Sequence, residues 1–178
     1  IISENKTRPD EVLTALHERV HSMLKQGSSD NKDGMDLAMV RYLPGENRLE
    51  FSGAHNPMVY FRNGELQEFK GTLRPVGGKG RRKQKNLPPF GLESLEIDQP
   101  MQVYLFSDGY VDQFGGPKGR KMMMRRFKSY LSEIHDLPFE EQQKILHQRL
   151  MEWKGESAQI DDILVMGFQV EPTKNATQ

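Results

Sequence analysis

The sequence contains no cysteine among its 178 residues, which excludes disulfides, thiolate metal sites and a cysteine nucleophile. It also lacks a charge bias: 25 basic and 25 acidic residues cancel, so the global charge does not point to nucleic acid. No apolar run approaches the roughly 18 to 20 residues of a membrane span, and no signal peptide opens the sequence. We therefore expect one cytoplasmic domain without direct membrane contact, and a membrane anchor elsewhere in a longer parent protein stays compatible with this.

Aspartates stand at the ends of two apolar, strand-like segments. The segment MQVYLFSDGYVD, residues 101–112, runs into Ser107-Asp108-Gly109, where glycine allows a tight turn. In AQIDDILVMGFQV, residues 158–170, Asp161 and Asp162 directly precede the apolar run. Two carboxylate clusters at strand ends suit a hard cation such as Mg²⁺ or Mn²⁺. The alternative is that each aspartate only caps a turn or a helix.

The remaining pattern predicts an α+β protein with antiparallel sheet and helices packed on it. Apolar residues recur at helical spacing over 8–26, with Thr7 as the N-cap and Pro9 in the first turn. We further predict a buried strand at 35–42, an antiparallel meander over 35–69 with a turn at Asn63-Gly64, an edge strand at 93–98, and helices at 119–134 and 139–153.

Five phrases in this order carry a family resemblance: DGMDLAMV, SGAHNPMVYF, LPPFGL, FSDGYVDQFGGPKGRK and QIDDILVMGF. They resemble the metal-dependent serine/threonine phosphatases of the protein phosphatase 2C superfamily, in the bacterial branch of stage II sporulation protein E and the RsbU-type regulators. The resemblance covers roughly residues 5–170. It implies an α-β-β-α sandwich of antiparallel sheets flanked by helices, with a catalytic domain over 1–170 and a flexible tail over 171–178.

The resemblance also implies a dinuclear Mg²⁺ or Mn²⁺ centre in the full domain, which activates water so that no protein nucleophile is needed. Asp108 and Asp161 fall on metal-ligand positions of the family. Asp112 falls where some members hold a third metal, and a helix-start cap is an equal alternative. The residues expected to support the ligands or bound water are Gly109, Asp162, His55 and Asn56. For His55 a hydrogen-bonded turn role is favoured.

The sequence departs from the family pattern at its start. The GD-type strand and the D-x-x-G-H-G-like phrase, whose aspartate bridges both metals, are absent, so we expect an N-terminally truncated catalytic domain. Weak or no catalysis by the isolated chain follows, together with an exposed sheet edge and a tendency to form homodimers.

The implied function is hydrolysis of phosphoserine or phosphothreonine in a bacterial partner-switching pathway, on a substrate resembling a phosphorylated anti-sigma-factor antagonist. The alternative is a non-catalytic phosphatase-like module for protein interaction. The predicted helix at 8–26 is either a regulatory element or an ordinary packing helix. The basic run at 79–85, with Arg81, Arg82 and Lys83, is either a docking surface for an acidic or phosphorylated partner or a solvated loop.

Overall fold

The computed structural model describes residues 7–26, 28, 31–78 and 87–173. These residues form helices and antiparallel sheets, so the α+β prediction is confirmed. The helices are α1 (Pro9–Met23), α2 (Gly109–Asp112), α3 (Met124–Ile134) and α4 (Phe139–Lys154). The strands are β1 (Gly34–Met35), β2 (Leu37–Leu43), β3 (Arg48–Ala54), β4 (Met58–Arg62), β5 (Glu65–Phe69), β6 (Val76–Gly77), β7 (Glu93–Glu96), β8 (Met101–Phe106), β9 (Phe114–Gly115), β10 (Arg120–Lys121) and β11 (Val165–Val170).

The chain divides into two compact units. Unit 1 comprises Ile1–Met58, Glu68–Pro100 and Glu171–Gln178, and unit 2 comprises Val59–Gln67 and Met101–Val170. No helix within the described ranges is long and apolar enough to cross a membrane.

Unit 1 contains the antiparallel sheet β2-β3-β7 and the small pair β1-β6. Helix α1 packs its apolar stripe inward, and fully buried Leu13 contacts a core that includes Ala54, Val76 and Phe90. Thr7 is not the N-cap of α1. Arg8 takes that position, and the Thr7 hydroxyl instead accepts a hydrogen bond from Arg41 (2.6 Å).

The predicted strand at 35–42 forms, as β2, but it is half-buried rather than buried. Tyr42 is 38% exposed, and its hydroxyl donates to the carbonyl of Glu171 (2.6 Å). Thr173 also bonds to this unit, because its backbone N–H donates to Asn47 Oδ1 (2.7 Å). Residues 174–178 of the predicted tail lie outside the described residues.

The predicted single meander over 35–69 is wrong. Strands β2 and β3 pair in one sheet, whereas β4 and β5 belong to the four-stranded sheet β11-β8-β4-β5. The chain changes sheets in the turn that follows β3, where His55 has a left-handed backbone (φ 58°). The Asn63-Gly64 turn between β4 and β5 is confirmed, with positive φ at both residues (54° and 74°).

Unit 2 carries most of the four-stranded sheet, with β8 in an interior position. Its core gathers aromatic residues of β8 and α2 with apolar residues of α3 and α4, among them Phe106, Tyr110, Phe127 and Leu146. The predicted helix at 119–134 begins only at Met124. Residues 114–121 form the hairpin β9-β10 instead, in which Arg120 pairs with Gly115.

Candidate functional site

Asp108 lies two residues after the end of the largely buried strand β8. It is exposed and precedes the one-turn helix α2, in which the Asp112 backbone N–H donates to the Asp108 carbonyl (2.8 Å). Its side chain makes no capping hydrogen bond to that helix. The capping alternative for this carboxylate therefore finds no support in the geometry.

Antiparallel pairing brings the second acidic cluster to the same end of the sheet. Strand β11 pairs with β8 so that Val165 lies opposite Phe106, and the pairing continues one residue further, from Ser107 N–H to the Leu164 carbonyl (3.0 Å). Ser107 Oγ also donates to the Asp162 carbonyl (2.9 Å) and accepts from the Leu164 N–H (3.0 Å). The start of β11 is thus tied to the end of β8.

Gly109 is required at this junction by close packing. A Cβ atom built on Gly109 would lie 2.3 Å from the Asp162 carbonyl oxygen, well inside van der Waals contact. The absent side chain lets the backbone after Asp108 lie against the backbone of Asp162. Gly109 therefore sets the spacing between the two acidic segments.

Asp161 and Asp162 are both exposed. The Asp161 carboxylate accepts the backbone N–H of Asp162 through Oδ1 (2.7 Å), which fixes the turn before β11. The Asp161 carbonyl accepts from Gln159 Nε2 (2.8 Å).

Asp112 at the end of α2 already has a cationic partner. Lys121 Nζ lies 2.5 Å from Asp112 Oδ2, and both side chains are more than one third exposed. The ammonium group neutralises the carboxylate that the family resemblance assigns to a third metal. The metal-ligand role of Asp112 stays a prediction.

The side chain of Tyr110 anchors the short helix α2 to helix α4. The buried Tyr110 hydroxyl donates to the Leu146 carbonyl of α4 (2.7 Å), and burial raises its pKa. Tyr104 of β8 likewise donates to Gln142 Oε1 (2.7 Å), and burial raises its pKa to about 12. Both phenols stay protonated at neutral pH, and their hydrogen bonds link β8 and α2 to α4.

His55 and Asn56 lie in unit 1, in the turn after β3. His55 Nδ1 is 2.8 Å from Asp36 Oδ1, and the His55 N–H donates to the Thr72 carbonyl (2.9 Å). The Asn56 carbonyl lies so close to Gly53 that a Cβ there would approach it to 2.2 Å. These contacts describe a hydrogen-bonded turn.

Asp36 was missed as a candidate by sequence reasoning, although it stands in the DGMDLAMV phrase directly before β2. The signal that could have found it is an acid at a strand start within a family phrase. The residues predicted to dock a partner, Arg81, Arg82 and Lys83, lie outside the described residues.

The donor chemistry at the β8-β11 end fits a hard cation, because carboxylates and backbone carbonyls are the ligands that Mg²⁺ and Mn²⁺ prefer. The number of donors is small, however. Within the described ranges, no group of three histidine or acidic side chains comes together in a way that could hold a metal ion. The residues present fit the predicted centre in kind, and the metal-ligand roles of Asp108 and Asp161 stay predictions.

Comparison with protein families identifies one matching model. Residues 1–171 match the family described as stage II sporulation protein E (SpoIIE). A search of curated proteins found no match.

Solved structures share this fold. The chain is similar to the SiaA-PP2C domain of Pseudomonas aeruginosa, with a TM-score of 0.78 and 27% identity over 92% of this chain. The alignment spans 61% of that domain's length.

Two further structures are similar at the level of the fold alone. One is the phosphatase domain of the cell fate determinant SpoIIE from Bacillus subtilis (TM-score 0.53, 10% identity, 97% of this chain and 78% of that chain). The other is the catalytic domain of the serine/threonine phosphatase PstP in complex with two manganese ions (TM-score 0.56, 15% identity, 87% of this chain and 67% of that chain).

Proposed function

Because the chain belongs to the stage II sporulation protein E family and has a PP2C-type phosphatase fold, we propose that it is part of a metal-dependent phosphoprotein phosphatase. The reaction is hydrolysis of phosphoserine and phosphothreonine. One observation carries the proposal: Asp108 and the Asp161-Asp162 pair lie at the same end of the paired strands β8 and β11.

In this proposal Asp108 and Asp161 hold Mg²⁺ or Mn²⁺. When bound, these ions would neutralise charge on the phosphate oxygens and lower the pKa of a bound water molecule. The chain's own contribution is positional. Ser107 and Gly109 fix the distance between the two acidic segments, and Asp162 orients the neighbouring ligand or water.

The proposed substrate is a phosphorylated protein that resembles an anti-sigma-factor antagonist, in a bacterial partner-switching pathway. Family membership supports this part. A cytoplasmic location is part of the same proposal, since such substrates are cytoplasmic signalling proteins. We also propose that copies of the chain associate through β11, which is an edge strand of the four-stranded sheet among the described strands.

A second candidate is a phosphatase-like module that binds proteins without catalysis. Two observations favour it: no group of three potential ligands forms among the described residues, and Lys121 engages Asp112. For the same reason we expect only weak hydrolysis by this chain.

The test measures Mn²⁺ binding by calorimetry together with hydrolysis of an aryl phosphate. Asp108→Asn removes one charged ligand, so we expect Mn²⁺ affinity to fall at least about tenfold and any hydrolysis to disappear. Asp136→Asn is the matched control, because Asp136 is 90% exposed in the loop between α3 and α4. Wild-type affinity in Asp108→Asn would contradict the proposed site, and a wild-type chain that neither binds Mn²⁺ nor hydrolyses the ester would favour the binding module.

A further inference from the structure

A basic groove lies in unit 2, between the hairpin β9-β10, helix α3 and Trp153 near the end of α4. Its volume is about 870 Å³. The residues that matter for its chemistry are Lys118, Arg120, Met123, Arg125, Arg126 and Trp153. We refer to this surface as the basic groove.

The charge of the groove contrasts with the neutral chain. Residues 115–130 contain no acid and the following bases: Lys118, Arg120, Lys121, Arg125, Arg126 and Lys128. Glu133, an acid that lines the groove, is paired with Arg149 (2.7 Å). Lys121 is paired with Asp112. Lys118, Arg120 and Arg125 are exposed, and none of them forms an ion pair with another residue in the described part of the chain. The groove therefore holds positive charge that the described residues leave uncompensated.

Helix stability does not explain this charge. Arg125 and Arg126 lie in the first turn of α3, and this first turn contains no acidic residue. The N-terminal end of a helix carries partial positive charge, so cations are unfavourable there and acids are preferred. A local arrangement that opposes the helix dipole is expected at functional or strained sites.

Met123 adds an apolar element held in an unfavourable backbone conformation. Its φ and ψ are 70° and 146°, a region that residues with a side chain rarely occupy. Its N–H donates to the Val111 carbonyl (2.8 Å), which pins the conformation, and its side chain is 59% exposed. The groove thus presents an exposed thioether among guanidinium groups.

We propose that the basic groove binds an acidic protein segment that also carries an apolar side chain. Carboxylates of the segment pair with Arg120 and Arg125, while its apolar side chain contacts Met123. The segment belongs to the phosphoprotein substrate, and this assignment rests on the proposed phosphatase function.

The contacts favour a protein over a nucleic acid. Single-stranded nucleic acids bind basic grooves by stacking bases on open aromatic faces. Here the Arg126 guanidinium lies 4.2 Å from the centroid of the Trp153 ring, and Arg149 lies 4.5 Å from that of Tyr130. Arginines thus cover one face of each aromatic ring at the groove.

The experiment uses a fluorescein-labelled synthetic peptide rich in glutamate with one central leucine, followed by fluorescence anisotropy. Binding should weaken as salt rises, because exposed charge pairs are screened. The double variant Arg120→Glu/Arg125→Glu should weaken binding at least about tenfold. Lys70→Glu/Lys144→Glu makes the same change of charge at exposed positions outside the groove and should bind as the wild type does. Replacing the leucine of the peptide by serine should also weaken binding.

Three results would overturn the inference: no binding of the acidic peptide, equal loss in both double variants, or tighter binding of oligothymidylate than of the peptide. Circular dichroism of each variant establishes that the fold is intact. The binding assay involves no turnover. A chain that neither binds Mn²⁺ nor hydrolyses the ester but still binds the peptide would therefore remove the proposed function and keep the groove. A chain whose Mn²⁺ binding is lost in Asp108→Asn but that does not bind the peptide would keep the proposed function and remove the groove.

Discussion

His17 couples helix α1 to the short strand β6 through a neutral imidazole. Its Nδ1 accepts the backbone N–H of Gly77 (3.0 Å), which requires an unprotonated nitrogen. Burial lowers the pKa of His17, and the nearby charges of Arg74 and His21 lower it further. The hydrogen bond and the lowered pKa of His17 therefore both favour the neutral imidazole in the folded state.

This preference predicts acid sensitivity. Because the pKa of His17 is lower in the folded state, the unfolded chain binds more protons as pH falls below the ordinary histidine value near 6.5. The stabilisation is present above that pH and is lost as pH falls towards the folded-state pKa. Between pH 8 and pH 5.5 the wild type should lose more unfolding free energy than His17→Gln, which keeps an acceptor without titrating. Urea denaturation at both pH values measures this. His147→Gln, at an exposed position of α4, is the control, and equal losses in wild type and His17→Gln would contradict the account.

Single residues differ in how far their roles can be predicted from the sequence. The positive φ of Asn63 and Gly64 was predictable, since this pair is the commonest signal for a tight hairpin. The left-handed conformations of His55 and Met123 carry no such signal, because long-range hydrogen bonds to Thr72 and Val111 impose them. The need for glycine at 109 depends on Asp162, more than fifty residues away in the segment before β11.

At the scale of elements, the start of α3 stores backbone strain. Met123 is exposed, so its side chain contributes little burial energy, and its conformation suits glycine. We expect Met123→Gly to be more stable than Met123→Ala by about 1 kcal/mol, because only glycine relieves the strain. In an ordinary backbone conformation the alanine variant would be the more stable of the two, so the expected order of stability is reversed here. Thermal unfolding of both variants measures the difference, and a more stable Met123→Ala would show that the strain is absent.

The elements themselves were largely predictable where the apolar period was long. Helices α1 and α4 appear near the predicted bounds because their apolar residues recur over several turns. The helix predicted from residue 119 starts late, since Met122 and Met123 donate to carbonyls of Gln113 and Val111 and so continue an irregular, non-helical segment. Strands β3 and β4 are neighbours in the sequence but belong to different sheets. This was not predictable, because β3 pairs with β7 and β4 pairs with β8, and both partners are distant in the sequence.

At the scale of the whole molecule, strand β11 and the residue before it leave apolar side chains at an edge of the sheet formed by the described strands. Leu164 and Met166 are 58% and 50% exposed, and exposed apolar edge strands promote pairing between chains. Met166→Lys should therefore reduce self-association, which sedimentation velocity over a range of concentrations would measure. Met151→Lys makes the same change on α4, at a residue that is 40% exposed, and should leave the association unchanged. A wild-type chain that stays monomeric at all concentrations would contradict the prediction.

The candidate site was predictable in part for a reason of topology. Aspartates at the end of one apolar strand and at the start of another meet when the two strands pair antiparallel, as β8 and β11 do. The metal-ligand roles of Asp108 and Asp161 stay predictions. The ion pair of Asp112 with Lys121, the turn contact of Asp36 with His55 and the basic groove required coordinates, because each joins residues through packing that no short phrase encodes.

The position of Asp162 beside the edge strand has a geometric consequence. Ser107 ties Asp162 to the end of β8, and β11 begins three residues later with its outer side unpaired by any described strand. A strand that adds to this side and extends past the start of β11 must bring its own side chains beside Asp161 and Asp162. The number of strands in the sheet and the set of side chains beside this acidic pair are therefore linked.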